Sequence, residues 1–353
     1  MIIIKNKQNW KKFKKRKKIS RRNLTKKKLL DKKHAKIFKI FVVILFLLFL
    51  YIPNLPENIN KIIKNINNRK YKIKVCLCTL GKKENNYIRE FVNHYEKYGI
   101  DKIFLYDNND INGERFEEVI NDYITKGFVE ILDWRGKLYA IYRIMSDCYR
   151  RNYKNYDWLI FYELDEFIYL RNYSNIKPFL MQPKFENCQL IYLNMICHTD
   201  NNKLYYENKP LSVRFPKRVP ITKWGGKKLE IKSIIRGNIS YFKLENMHTL
   251  NPKLENCNGY GNRNKYRSFA PTEPDYKHYY IIHYYSKSTE EFINKLNRGD
   301  AFSTSKEYYL LRVEKYFNQS EMTKEKIDMI EKGTKLDLSK FREKLEQLNK
   351  YSL

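Results

Sequence analysis

The sequence lacks the patterns that would place it quickly. Its six cysteines, at positions 76, 78, 148, 188, 197 and 257, include no C-x-x-C pair and no Cys/His pair with zinc-ligand spacing, which excludes a zinc ribbon or finger. No internal repeat runs through it, so a solenoid is excluded as well. Acids are almost missing from one end: residues 1–39 hold 18 Lys/Arg and only Asp31, so they carry +17 of the formal +31 and leave +14 for the other 314 residues. More than half of the excess is a terminal tail, which weakens the case for a polyanion-binding fold. What is present is enough for a core: 353 residues, 42% hydrophobic, suit one large or two small domains and exclude a wholly disordered chain.

The tail runs into Ile40–Ile52, thirteen apolar residues without a charge, followed by Pro53 and Pro56. At 1.5 Å per residue the run spans roughly 20 Å, or about 24 Å from Ile37 if Lys39 snorkels, against about 30 Å of bilayer hydrocarbon. A retained signal anchor over 37–53 is the expectation. A cleaved signal peptide and a buried soluble helix are the alternatives, the former opposed by the long preceding region and the absence of a small-x-small cleavage site. Dense Lys/Arg before the span puts the tail, residues 1–36, in the cytoplasm and the rest on the far side. That topology predicts a single-pass membrane protein, in a Golgi-type membrane if the source is eukaryotic.

Cysteines on a lumenal side could pair, but their spacing imposes no pairing, and Cys76 and Cys78, on one face of one strand, read as small core residues. The sequons at Asn172, Asn238 and Asn318 decide little in so Asn-rich a chain.

Residues 54–72 read as a stem. Strands are expected at Ile73–Leu80, Lys102–Tyr106, Phe128–Leu132 and Trp158–Leu164, alternating with amphipathic helices at Glu84–Tyr98, around Phe116–Tyr123 and around Ile141–Cys148. This alternation predicts an α/β fold with a mostly parallel sheet covered by helices on both faces. After Phe167 the strand candidates Gln189–Ile196, Leu229–Arg236 and Tyr279–Tyr284 are joined by long Tyr- and Asn-rich loops. A capping box at Ser288–Glu291 opens another helix, and charged helices are expected near 321–332 and 338–350.

In an open parallel sheet, ligands bind beyond the carboxyl ends of the strands. Those ends are polar here: Thr79–Glu84 after the first strand, Asp107–Asn109 after the second, and Glu163, Asp165 and Glu166 after the fourth. Three carboxylates in four residues repel one another, and a divalent cation with oxygen ligands relieves them. Mg²⁺ or Mn²⁺ on such acids would neutralise a diphosphate leaving group. The bland reading is a solvated strand end.

The blocks V-C-L-C-T-L-G-K-K-E-N-N-Y-I-R-E-F-V (75–92), G-I-D-K-I-F-L-Y-D-N-N-D (99–110) and D-W-L-I-F-Y-E-L-D-E-F-I (157–168) resemble glycosyltransferase family 92 and related family-2-like enzymes with a GT-A fold. Residues 200–215, K-S-I-I-R (232–236), His248 and the segment 283–300 continue the resemblance in order, so it covers roughly 73–300, with 301–353 left as a helical extension. It implies a GT-A-like, Rossmann-like domain with an irregular acceptor-side half, and a metal-dependent, inverting transfer of a hexose from a nucleotide sugar, a UDP-hexose such as UDP-galactose, to a glycan hydroxyl.

By that resemblance Thr79, Lys82, Glu84 and Asp107 line the donor nucleotide. Asp165 is the principal metal acid, with Glu163 and His283 as further metal candidates. Two departures stand out: Glu163 replaces an Asp, and Lys83 replaces an Asn in the K-N-E turn. A glutamine associated with the helix before the fourth strand is not evident near Ile141. Inversion needs a carboxylate to accept the acceptor hydroxyl's proton, for which Asp200 is the first candidate and Glu166 the second. Lys232, Arg236, Lys287 and Arg298 are candidate phosphate contacts, and His248 and Trp224 candidate acceptor contacts. The rivals are a membrane-tethered basic binding protein without catalysis and a nucleotidyltransferase. The acids at the strand ends disfavour the first, and no nucleic-acid partner is expected.

Overall fold

A computed structural model of the chain describes residues 72–137, 141–220, 230–239, 251, 253–264, 276–299 and 305–350. The basic tail, the apolar segment and nearly all of the stem lie outside these residues, as do Trp224 and His248. Among the described residues no helix is long and apolar enough to cross a membrane.

The first half alternates as anticipated: β1 (Val75–Gly81), α1 (Asn85–Lys97), β2 (Lys102–Asp107), α2 (Glu117–Thr125), β3 (Val129–Asp133), α3 (Ile141–Asn152) and β4 (Trp158–Phe161). Its four strands lie in the order β3-β2-β1-β4, all parallel. Successive residues of a strand face opposite sides. Val75 and Leu77 therefore join α1 and α2 in one core, with Ile88, Phe91 and Phe116, while Cys76 and Cys78 join Ile144, Met145 and Cys148 of α3 in the other. Both faces are covered, which is why β1 is apolar almost throughout. Cys76 is free and buried, as read, but Cys78 is bonded to Cys148, so the expectation that both are plain core residues holds only for Cys76. The disulfide was illegible because it depends on which residue of α3 lies over β1. A second disulfide joins Cys188 to Cys257.

The second half contains β5 (Glu166–Leu170), α4 (Ile176–Leu180), β6 (Leu190–Cys197), α5 (Leu211–Arg214), β7 (Ile231–Arg236), β8 (Asn256–Asn258), β9 (Arg263–Asn264), β10 (Tyr279–His283), and helices α6 (Thr289–Asn297), α7 (Lys306–Gln319), α8 (Lys324–Thr334) and α9 (Ser339–Lys350). The sheet continues from β4 as β7-β6-β10-β5. Here β4·β7, β7·β6 and β10·β5 are antiparallel and only β6·β10 is parallel along that path, so the sheet is mixed, parallel in its first half and largely antiparallel in its second. Loops in place of crossover helices allow the reversals.

The strand anticipated over 158–164 ends early, at Phe161. A turn closed by the Glu166 N–H donating to the Glu163 carbonyl at 3.0 Å separates it from β5. Four residues link β4 to a strand four places away in the sheet. Flat, that span would be about 19 Å, whereas two extended residues plus one tight turn reach only about 14 Å. The sheet is therefore curled, and the turn carrying the acids bridges its concave side. Gly81 lets this turn approach β1: a Cβ there would stand 2.5 Å from Leu164 and 2.6 Å from Phe116.

Helices α7 and α8 share a core with α6. Val313, Tyr316, Ile327 and Ile330, within the helical extension expected over 301–353, pack with Phe292, Leu296 and Tyr285.

Candidate functional site

Strand direction gathers the polar residues. The carboxyl ends of β1, β2, β3, β4, β6 and β10 and the starts of β5 and β7 share one edge of the sheet. At that edge His283 stands opposite Glu166 of β5 on one side and Cys197 of β6 on the other. Asp165 is fastened beside them by its carbonyl, which accepts from the Tyr284 N–H at 2.9 Å. The ligand atoms of Asp165, Glu166 and His283, all buried, lie within 4.8 Å of one another.

The electrostatics are those of charges taken out of water together. One Asp165 oxygen is 3.4 Å from His283 Nε2; the other is 2.7 Å from Lys295 Nζ and 3.9 Å from Lys287 Nζ. Burial alone would raise the Asp165 pKa, but Lys295, His283 and Lys287 hold it well below the usual carboxylate range. Burial lowers the His283 pKa against the pull of Asp165. Glu166 behaves oppositely: burial, with Glu163 and Asp165 nearby, pushes it well above the usual range although Lys232 opposes this. Lys232, fully buried, sits 2.9 Å from Glu166 and 3.0 Å from the half-buried Glu163. Burial lowers its own pKa, yet the two carboxylates prevail and raise it.

A carboxylate and imidazole set of this kind suits a hard divalent ion such as Mg²⁺ or Mn²⁺. Ligands at about 2.1 Å stand at most about 4.2 Å apart across an ion, so the cluster needs only a small contraction to hold one.

Next to this cluster, Glu84 at the start of α1 is buried with Arg298 at 2.9 Å and Lys287 at 3.8 Å. Arg298 also donates to the Lys82 carbonyl at 2.7 Å. The Lys82 and Lys83 ammoniums turn outward to Asp110, at 3.0 and 3.1 Å. The extra charge in that turn is thus taken by a surface aspartate.

Across β1, the Asp107–Asn109 cluster joins three strand ends. Asp107 pairs with Arg135 and accepts from the Asn109 N–H at 2.9 Å. Asn108 donates to the carbonyls of Trp134 and Lys137, both at 2.8 Å. Thr79 Oγ1, Asn109 Nδ2 and Arg135 Nη1, at or near these strand ends, are buried without a hydrogen-bond partner among the described residues.

The structure does not bring Asp200 into either group. Its carboxylate accepts from Lys326 at 2.6 Å, Tyr316 at 2.8 Å and the Asn202 N–H at 3.0 Å, an arrangement that ties the loop after β6 to α7 and α8. Arg236 lies at the opposite end of β7, bonded to the carbonyls of Cys188 and Phe185 and stacked over Trp158. Lys295 and Arg135 escaped the sequence reading: in a chain with 70 Lys/Arg, nothing local marks a cation whose partner is distant.

Residues 71–328 match the family model described as glycosyltransferase family 92. The chain belongs to glycosyltransferase family 92. Family 92 proteins of Oryza sativa subsp. japonica and Ricinus communis share 27% identity over 117 residues and 23% over 128 residues with it, covering 30% and 35% of this chain. These matches span 19% and 22% of the two plant proteins, so the chain covers about a fifth of their length. Among solved structures, S. aureus TarS 1–349 in complex with UDP aligns over 74% of this chain and 70% of its own at 10% identity, with a TM-score of 0.32. The family expected from the blocks at 75–92, 99–110 and 157–168 is borne out.

Proposed function

We propose that this family 92 member is a membrane-anchored, metal-dependent, inverting glycosyltransferase with a GT-A-like catalytic domain. It would transfer a hexose from a UDP-hexose, UDP-galactose being the leading candidate, to a glycan hydroxyl. The observation that carries the reading is the meeting of Asp165, Glu166 and His283 at the same sheet edge as the buried Asp107–Arg135 pair.

In this reading Asp107, Arg135 and Thr79 receive the nucleoside, and Arg298 and Lys287 face the diphosphate. Asp165, His283 and Glu163 are the residues that would hold Mn²⁺ or Mg²⁺. Bound there, the ion would supply charge neutralisation for the departing diphosphate. Of the two acids considered as proton acceptor, Asp200 is engaged by Lys326 and Tyr316 and Glu166 by Lys232; Glu166 is preferred because it stands at the sheet edge beside Asp165 and His283.

The anchor is proposed from Ile40–Ile52, with the tail cytoplasmic. Two disulfides in the catalytic body support its placement on an oxidising side of the membrane, as in a Golgi-type compartment.

The test is a panel of sugar nucleotides with purified protein, in Mn²⁺ and in EDTA, with product analysis. A nucleoside diphosphate and a glycoside of inverted configuration, formed only with metal, are expected. Full turnover in EDTA would sink the metal dependence, and release of pyrophosphate would make the protein a nucleotidyltransferase.

A further inference from the structure

The segment from the end of β10 through α6 supplies a set of cations to the site: Lys287, Lys295 and Arg298. With Lys232 they make four, facing the four carboxylates Glu84, Glu163, Asp165 and Glu166. Formal charge is thus balanced among the protein's own side chains. Asp165 is the acid that most needs this, because a buried carboxylate left without a partner is strongly disfavoured.

Lys295 stands beside one of the two Asp165 oxygens that a metal would take. Its ammonium is 2.7 Å from the Asp165 oxygen that faces away from His283. A divalent ion taking that oxygen, or chelated by both oxygens, would sit about 2.1 Å from it, too close to the ammonium for both to remain in place. The other two cations of the segment are fixed. Arg298 is held by Glu84 and the Lys82 carbonyl. Lys287 is buried on a left-handed backbone, φ 50°, with its ammonium over the Tyr87 ring. Lys295, 12% exposed, has its ammonium 4.6 Å from the Tyr285 ring centroid and a flexible four-carbon stem, so it can swing without unfolding the helix. The helix itself is anchored at its other end by the Ser288–Glu291 capping box and the buried Glu291–Arg214 pair.

We propose that Lys295 is an exchangeable internal counter-ion: it occupies the metal seat on Asp165 in the empty protein and moves onto the donor diphosphate when metal and nucleotide enter together. This rests on the donor and metal reading above. It assigns Lys295 two opposed effects, competition with the metal alone and attraction for the metal-bound nucleotide.

The experiment measures Mn²⁺ binding by the loss of the free-ion electron paramagnetic resonance signal, and UDP binding by calorimetry at saturating Mn²⁺. The proteins are wild type, Lys295→Met, Lys295→Gln and Lys295→Arg, each checked by thermal melting. Met keeps the apolar stem against Tyr285, and Gln keeps a hydrogen bond to Asp165, so at least one neutral variant retains the fold. Both neutral variants are expected to bind Mn²⁺ alone about tenfold or more tighter than wild type, and UDP about tenfold weaker. Lys295→Arg should bind Mn²⁺ no tighter than wild type. Unchanged Mn²⁺ affinity in the neutral variants, or weaker binding of both ligands, overturns the exchange while leaving the glycosyltransferase reading intact. A wild-type protein that takes up no Mn²⁺ even with UDP present overturns the metal dependence and the exchange together.

Discussion

Lys326 of α8 holds the carboxylate of Asp200 at 2.6 Å, and both side chains are almost completely buried. Breaking a buried pair by removing one partner strands the other charge, typically at a cost of about 3–5 kcal/mol. Asp200→Ala is therefore expected to lower the melting temperature by roughly 10 °C while turnover per folded molecule stays within a few-fold of wild type. A variant that melts like wild type but turns over about a hundredfold slower would restore Asp200 as the proton acceptor.

Asp165→Asn should act in the reverse sense. The amide fills the same space but removes the charge that a metal and two lysines address, so turnover should fall by about two to three orders of magnitude with an unchanged circular dichroism spectrum. Wild-type turnover in a folded Asp165→Asn protein would make the strand-edge acids purely structural.

Burial sets a pH dependence of stability through His94. Its ring is packed against Tyr95, Tyr98 and Phe167 and lies 3.1 Å from the Ile168 carbonyl, and burial pushes its pKa down from 6.5 to about 4. Between these values the unfolded chain binds a proton that the folded one does not. The contribution is thus complete above about pH 6.5 and lost as pH falls toward 4, amounting to about 3 kcal/mol. Denaturant titrations at pH 7 and pH 4.5 should show the loss, and His94→Gln should flatten it; an equal slope in that variant would remove His94 as the source.

The Cys188–Cys257 disulfide closes the chain around β6 and β8. Replacing both cysteines by serine should cost about 2–4 kcal/mol, measurable as a shifted urea midpoint. No shift would mean that the bridge does not form in the isolated protein.

Much of this was legible wherever one local pattern decided the outcome. Ile88, Phe91, Val92 and Tyr95 mark α1 because a single helix face meets the sheet, and Ser288 with Glu291 marks the start of α6 because a capping box is local. The break after Phe161 was hidden, because Tyr162 and Leu164 prolong the apolar pattern while the turn comes from backbone bonding between Glu163 and Glu166. Helix α7 buries only Val313, Tyr316 and Gln319, too weak a stripe to stand out. The acids of the site were readable as a cluster at a strand end. Lys232 and Arg298 were readable only as candidate phosphate contacts and Lys295 not at all, since their pairing with the acids is decided by the register of β7 and the placement of α6.

The short link between β4 and β5 makes the curvature of the sheet and the position of the acids a single mechanical variable. Because Glu163–Glu166 is the stitch that draws the two halves together, any breathing that flattens the sheet must pull on the residues that face the metal seat. One added residue in that stitch would slacken the curve, so spacing within the motif is under as much physical constraint as its chemistry.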